Sequence, residues 1–146
     1  MPGEGAAAGY SGTPLPRKLG IGPGARVALV GAPSHPRPSL GHLPQDARLL
    51  SRLAPDLDVI VLAVDRLADL RRRLPAAREA MRPEGNLWVA WPKRASGVAT
   101  DVTEDRVREV GLAAGLVDNK VCAIDPTWSG LRLVWRLRDR PATHRE

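Results

Sequence analysis

Asn86-Leu87-Trp88-Val89-Ala90-Trp91-Pro92-Lys93-Arg94-Ala95-Ser96-Gly97-Val98-Ala99-Thr100-Asp101-Val102-Thr103-Glu104 is the stretch whose reading decides the fold. Its opening run is too apolar and aromatic for either face to meet water, so it reads as a strand buried on both sides. Pro92 ends that run, and a basic, hydroxyl-rich loop carries the chain to a helix start. In an open α/β sheet, ligands sit just beyond the carboxyl ends of the strands. Lys93, Arg94, Ser96, Thr100 and Asp101 are therefore the first candidate ligand-binding residues, on a loop at 93–101.

Working back from this strand, Asp58-Val59-Ile60-Val61-Leu62-Ala63-Val64 is β-branched and apolar throughout, which marks a second buried strand. Leu67, Leu70, Leu74, Ala77 and Met81 come after it at spacings of three and four, the apolar stripe of a helix that packs on a sheet. Asp65 is its expected N-cap, with a catalytic role as the alternative. Pro75 is expected to kink that helix or restart it with proline in its first turn. Arg82-Pro83-Glu84-Gly85 is read as the turn into the opening stretch.

Further upstream, Arg26-Val27-Ala28-Leu29-Val30-Gly31 has the length and character of a central parallel strand. A dinucleotide-binding loop places G-x-G-x-x-G directly after such a strand, where backbone amides meet phosphate. Here the glycines, Gly20, Gly22 and Gly24, precede the strand, and Pro33, Pro36 and Pro38 after it lack amide donors. That fingerprint is missing. Residues 33–46 read as loop and Ala47 to Leu53 as a second apolar set, with no long helix between them. His35 and His42 fall in the loop and read as solvent-facing, with acid/base or ligand roles as the alternative. Leu15, Leu19 and Ile21 are anchors for a short helical clasp across the core, and Tyr10, Ser11 and Thr13 are its pocket-lining alternative.

Downstream, a helix is expected from Thr103 to about Ala114, with Thr103 and Asp101 competing for its N-cap. Capping is the structural reading of Thr100, Asp101, Thr103 and Glu104. The functional reading is an anion held between the helix amino terminus, Lys93 and Arg94. Val117 to Ile124 and Leu131 to Leu137 are two strands joined by Asp125-Pro126-Thr127-Trp128-Ser129-Gly130, too short a link for a crossover helix, so they pair antiparallel. Trp128 and Ser129 in that turn either cap the sheet edge or border the site, and as the latter they join the candidate ligand-binding residues; Trp135 is expected in the core. Cys122 reads as an inert core thiol rather than a nucleophile.

A chain of 146 residues suits one domain, burying roughly 68–70% of its unfolded surface. The expected division is a disordered tail at 1–9, a single Rossmann-like domain at 10–137 and a basic tail at 138–146. No apolar run approaches the roughly 18 residues of a membrane span, and no secretory signal is read at the amino terminus, so a cytoplasmic location is expected. One cysteine and three histidines exclude a disulfide framework and leave too few ligands for a structural zinc site. The net charge of +6 raises the question of nucleic acid. The basic residues are dispersed and arginine far outnumbers lysine, so a biased solvated surface is the preferred reading and a nucleic-acid patch the weaker one.

Gly9 to Leu15 with Lys18-Leu19-Gly20-Ile21, then Leu87-Trp88-Val89-Ala90-Trp91-Pro92-Lys93, then Trp128-Ser129-Gly130-Leu131-Arg132, resemble a family of small actinobacterial proteins without assigned function, identified as domain of unknown function 3052. The resemblance spans nearly the whole folded region and brings no catalytic residues with it. The carboxyl-terminal half, from Asp58 through Pro83-Glu84-Gly85-Asn86-Leu87-Trp88-Val89 to the closing hairpin, resembles S-adenosylmethionine-dependent methyltransferases. It departs from them in lacking the glycine-rich loop after the first strand and an acidic residue to hold a ribose at the end of the second.

The expected fold is α/β, a shortened Rossmann-like three-layer sandwich whose mostly parallel sheet is closed by a C-terminal antiparallel hairpin, as in the methyltransferase-like branch. Two functions are set against each other. The first is a non-catalytic binding or regulatory module with an anion- or partner-binding loop at 93–101, its partner an acidic small molecule or protein. The second is a small enzyme, a reduced methyltransferase or other nucleotide-using transferase, for which S-adenosylmethionine is the implied cofactor.

Overall fold

The structure is a computed structural model that describes residues 14–32 and 36–140. Tyr10, Ser11, Thr13, His35 and both extreme tails, 1–9 and 141–146, lie outside the described residues. The element order is α1 (Leu15–Lys18), β1 (Arg26–Gly31), α2 (Arg37–Leu40), β2 (Arg48–Leu50), β3 (Leu57–Ala63), α3 (Leu67–Ala80), β4 (Met81–Pro92), α4 (Glu104–Ala113), β5 (Leu116–Ala123) and β6 (Trp128–Trp135).

The strands form one six-stranded sheet in the order β2-β1-β3-β4-β6-β5. The first four are mutually parallel, and β6 runs antiparallel to both β4 and β5. The sequence expectation of a parallel sheet closed by an antiparallel hairpin is what the chain adopts. The reason is local. Asp125 accepts hydrogen bonds from the amides of Thr127 and Trp128, both at 2.8 Å, and this turn leaves no length for a crossover.

One face of the sheet carries α3 and α4, whose Leu70, Leu74, Ala77 and Val107 are buried against Ile60, Leu62, Leu87 and Val89. The opposite face is covered by α1, α2 and the segment that brings in Leu19 and Ile21, over Val27, Val59, Val61 and Trp88. The clasp reading of Leu19 and Ile21 holds, because the Trp88 indole donates to the Leu19 carbonyl at 3.0 Å inside the core. Burying side chains of this size stabilises by about 1.5–3 kcal/mol each. Among the described residues between β1 and β2 the crossover carries the four-residue α2 and no longer helix, which agrees with the expected lack of a long helix there.

Gly31, Ala63, Ala90 and Gly130 are register partners in one row across β1, β3, β4 and β6. Small residues there leave room for neighbouring bulk. A Cβ on Gly130 would stand 3.2 Å from the Trp88 ring and 3.0 Å from Ile124. Both sheet edges are blunted: β2 has three residues, and β5 carries a register shift between Asp118 and Lys120 with Asn119 and Lys120 exposed.

Several local expectations are corrected. Strand β4 starts at Met81 rather than near Asn86. Leu57 pairs with Met81 and Val59 with Asn86, so Arg82 to Gly85 form an irregularity inside the ladder instead of a turn before it. Pro75 lies inside one continuous helix. Strand β6 starts at Trp128, so Trp128 and Ser129 are strand residues facing Pro92 and Trp91, not turn residues. Trp135 is half-buried rather than core, with Arg78 stacked 5.6 Å from its ring centroid.

Candidate functional site

Because β1, β3 and β4 are parallel and in register from Gly31 through Ala63 to Ala90, the segments after Gly31, Ala63 and Pro92 leave the sheet at one rim. The β5–β6 turn reaches the same rim, where the Lys93 amide donates to the Thr127 carbonyl at 2.7 Å. Trp88 is fully buried and Trp91 nearly so, which makes β4 a stiff support for the loop beyond Pro92. Lys93 to Asp101 therefore stand on the same rim as the Gly31 turn.

A pocket of about 540 Å³ opens beyond β4. Lys93, Arg94, Thr100 and Ser129 are on its wall, joined by Trp91, Pro92, Val98, Ala99, Val102 and the start of α4 at Thr103 and Glu104. Of the candidate residues named from sequence, these four come together; Ser96, Asp101 and Trp128 are placed elsewhere. The Ser96 hydroxyl donates to the Lys93 carbonyl at 2.6 Å and accepts from the Val98 amide at 3.1 Å, which tightens the turn that Gly97 closes at φ 80°. Asp101 accepts from the Leu67 amide at 2.7 Å, and Trp128 is buried with Trp88 and Ile124. Val98, Ala99 and Val102 were not singled out from sequence. The signal that could have found Val98 and Ala99 is an apolar pair placed between Gly97 and Thr100 in a loop that otherwise invites solvent.

Three further hydrogen bonds fix the wall. The Thr100 hydroxyl donates to the Asp65 carbonyl at 2.7 Å and accepts from the Val102 amide at 3.0 Å. The Thr103 hydroxyl accepts from the Arg106 amide at 3.2 Å, so Thr103 rather than Asp101 is the N-cap of α4. Glu104 pairs with Arg108 at 2.6 Å. Asp65, expected to cap α3, contributes no cap there; the cap position is Arg66, which offers no side-chain bond. Asp101 supplies that acceptor from the neighbouring loop.

Cys122, in β5, is half-buried, and burial pushes its thiol up from the ordinary range, against the opposing pull of Lys18, Lys120 and Lys93. The raised thiol agrees with a weak nucleophile, but Cys122 lies partly buried on the edge strand and not in the core as read from sequence. His42 is exposed. Among the described residues no three His, Cys, Asp or Glu side chains gather as metal ligands, and no helix is long and apolar enough to cross a membrane.

The strand order with its single antiparallel β6, helices on both faces and a pocket at the carboxyl rim define an α/β domain of the methyltransferase-like Rossmann type. Solved structures with this fold include a SAM-dependent methyltransferase from Aquifex aeolicus, 16% identical, with a TM-score of 0.58 over 80% of this chain and 85% of the other. A TehB-like SAM-dependent methyltransferase from Corynebacterium glutamicum is 16% identical, with a TM-score of 0.55 over 90% of this chain and 92% of that one. Fibrillarin from Aeropyrum pernix, solved with natively bound S-adenosyl-L-methionine, is also 16% identical, with a TM-score of 0.53 over 86% of this chain and 70% of its own. No family model matches the chain and no curated protein does, so the likeness to domain of unknown function 3052 gains no support there.

Measured against S-adenosylmethionine, which the fibrillarin structure holds, the residues at the switch point between β1 and β3 of this chain form neither a glycine-rich cradle nor a strand-end carboxylate. Gly31 has φ 118°, but a Cβ built on it would fall on the Ala63 carbonyl. This glycine serves the close approach of two strands rather than a ligand cradle. Strand β2 ends at Leu50 and runs into Ser51 and Arg52, which places no carboxylate where a ribose diol would be held.

Proposed function

We propose that the chain is a small, reduced transferase of the methyltransferase fold whose substrate carries an acidic group into the pocket beyond β4. The observation that carries this reading is the placement of Lys93 and Arg94 in a pocket at the carboxyl rim, with no ion pair drawn to either among the described residues. Two adjacent cations on one concave wall, Lys93 half-buried and Arg94 exposed, attract an anion jointly and offer it charge-assisted hydrogen bonds. The likeness to methyltransferases supports a transferase over a purely structural domain. The misfit at Gly31 and at Ser51-Arg52 means that a nucleotide, if used, is held by contacts other than a glycine-rich loop and a strand-end carboxylate.

A second reading, the non-catalytic module with an acidic ligand or partner at 93–101, is favoured by one observation. Thr100 spends its hydroxyl in both directions, Thr103 caps α4 and Glu104 is paired with Arg108, so the carboxylate on the pocket wall is held by a cation that weakens it as a general base.

Calorimetric titration with S-adenosylmethionine, adenosine nucleotides and small organic acids separates the two. Micromolar S-adenosylmethionine affinity, lost on substitution in the loops after Val30 and Val64, is the transferase result. Binding of an organic acid lost in Lys93→Ala, without any response to S-adenosylmethionine, is the module result. A Lys93 pocket silent to every anion overturns both.

A further inference from the structure

We infer that the ligand of the pocket beyond β4 is a carboxylic acid with a compact apolar body, and not a phosphate, sugar or nucleotide. This rests on the reading of that pocket as a ligand site. What decides the ligand class is which polar heads on the wall are still free to engage it.

Thr100 donates to the Asp65 carbonyl and accepts from the Val102 amide, which occupies its hydroxyl in both directions. The Thr103 hydroxyl accepts from the Arg106 amide and keeps its own proton to donate, while one Glu104 oxygen is held by Arg108 at 2.6 Å, so this carboxylate is partly neutralised. Fully uncommitted on the wall are the Lys93 ammonium, the Arg94 guanidinium and the Ser129 hydroxyl, none with a side-chain hydrogen bond among the described residues, and all of these, like the Thr103 hydroxyl, are donors suited to an anion. The rest of the wall is apolar: Trp91, Pro92, Val98, Ala99 and Val102.

Val98 narrows the ligand further. It is 44% exposed on a loop whose turn is tightened by Ser96 and Gly97, so its isopropyl group is held at the pocket mouth instead of collapsing into the core. A polyhydroxylated ligand would find few partners for its hydroxyls on such a wall and would gain little by leaving water, since Val98 and Ala99 offer only apolar contact. An acid with an apolar body suits that wall: the carboxylate meets Lys93 and Arg94, and the body covers Val98 and the Trp91 side. The volume of about 540 Å³ falls inside the roughly 300–1,000 Å³ of small-molecule pockets, and a single ring with a short acid arm fits it.

The test tracks the backbone amide resonances of Arg94 to Val98 while the full chain is titrated with phenylacetate, phenylacetamide, inorganic phosphate and adenosine monophosphate. Phenylacetate is expected to bind at least about tenfold tighter than its neutral amide, the size of one charge-assisted hydrogen bond, and about tenfold tighter than phosphate, because only its ring covers the apolar wall. Lys93→Gln should erase the preference for acid over amide. Val98→Ser should weaken phenylacetate about threefold and leave phosphate unchanged. Phosphate or adenosine monophosphate binding as tightly as phenylacetate overturns the apolar-acid inference and leaves the anionic pocket standing. Resonances unmoved by all four probes overturn the inference and the pocket reading together.

Discussion

The Asp101 carboxylate accepts a hydrogen bond from the Leu67 amide at 2.7 Å, across 34 residues of sequence. The loop after β4 thereby caps the helix after β3. The first amides of a helix have no internal partner, and a carboxylate satisfies one while also meeting the positive end of the helix dipole. The neighbouring Thr100 hydroxyl donates to the Asp65 carbonyl at 2.7 Å, so two adjacent side chains bind the pocket wall to the start of α3.

Asp101→Ala should therefore cost about 1 kcal/mol, and lower the melting temperature by about 3 °C for a domain of this size. Asp101→Asn should retain most of the stability, since the acceptor survives. Asp65→Ala should change it by less than half as much, because Asp65 makes no cap bond. Thermal melts of the three variants decide this, and an equal loss in Asp65→Ala and Asp101→Ala would contradict the trans cap.

Trp88 has two separable contributions, its volume and its indole N–H. Trp88→Ala empties a fully buried position and should cost roughly 3–5 kcal/mol. Trp88→Phe keeps most of the apolar contact but removes the donor to the Leu19 carbonyl, at a cost of about 1–3 kcal/mol. Urea denaturation should rank wild type, Phe and Ala in that order.

Gly31→Ala should be among the most damaging single substitutions in the chain. Its φ of 118° lies where only glycine is comfortable, and the added methyl would meet the Ala63 backbone, which cannot swing aside. A loss on the order of 3 kcal/mol or more is expected, visible as a fall in soluble yield and denaturation midpoint. Gly97→Ala, at φ 80° but with open space around it, should cost less.

Lys93→Ala and Arg94→Ala should leave stability within about 0.5 kcal/mol of wild type while abolishing acid binding. A large drop in denaturation midpoint for Lys93→Ala would instead assign that residue to the fold.

Burial raises the Cys122 thiol above its ordinary range. The stabilising preference for the neutral thiol is complete below the unfolded thiol pKa and is lost as pH rises through the higher folded value. Alkylation of the native protein should therefore lag behind that of the urea-unfolded chain around pH 8, and the gap should narrow at higher pH. Equal rates at pH 8 would mean that the thiol is open to solvent.

The strands were legible because their information is local. Asp58 to Val64 and Leu87 to Trp91 are apolar on both alternating faces, which only a two-sided layer satisfies. Leu70, Leu74 and Ala77 mark one helical stripe, and the brevity of Asp125-Pro126-Thr127 forces an antiparallel return. The candidate site was legible to the level of its loop, since a strand end beside Lys93 and Arg94 is visible in order alone. What each side chain does there was not. Ser96, Thr100 and Asp101 have the same polar character whether they face a ligand or a backbone amide.

Residue order by itself determined the parallel core, its antiparallel closure and the rim that bears Lys93 and Arg94, because strand length, two-sided apolarity and turn chemistry act between near neighbours. Only the tertiary structure decided that Asp101 caps α3, that Trp128 lies in the core and that Val98 and Val102 share a pocket with Lys93. Those assignments depend on which groups, 34 residues apart in the case of Leu67 and Asp101, come within hydrogen-bonding distance. A buried amide takes the acceptor that the packing brings to it, whatever its place in the chain.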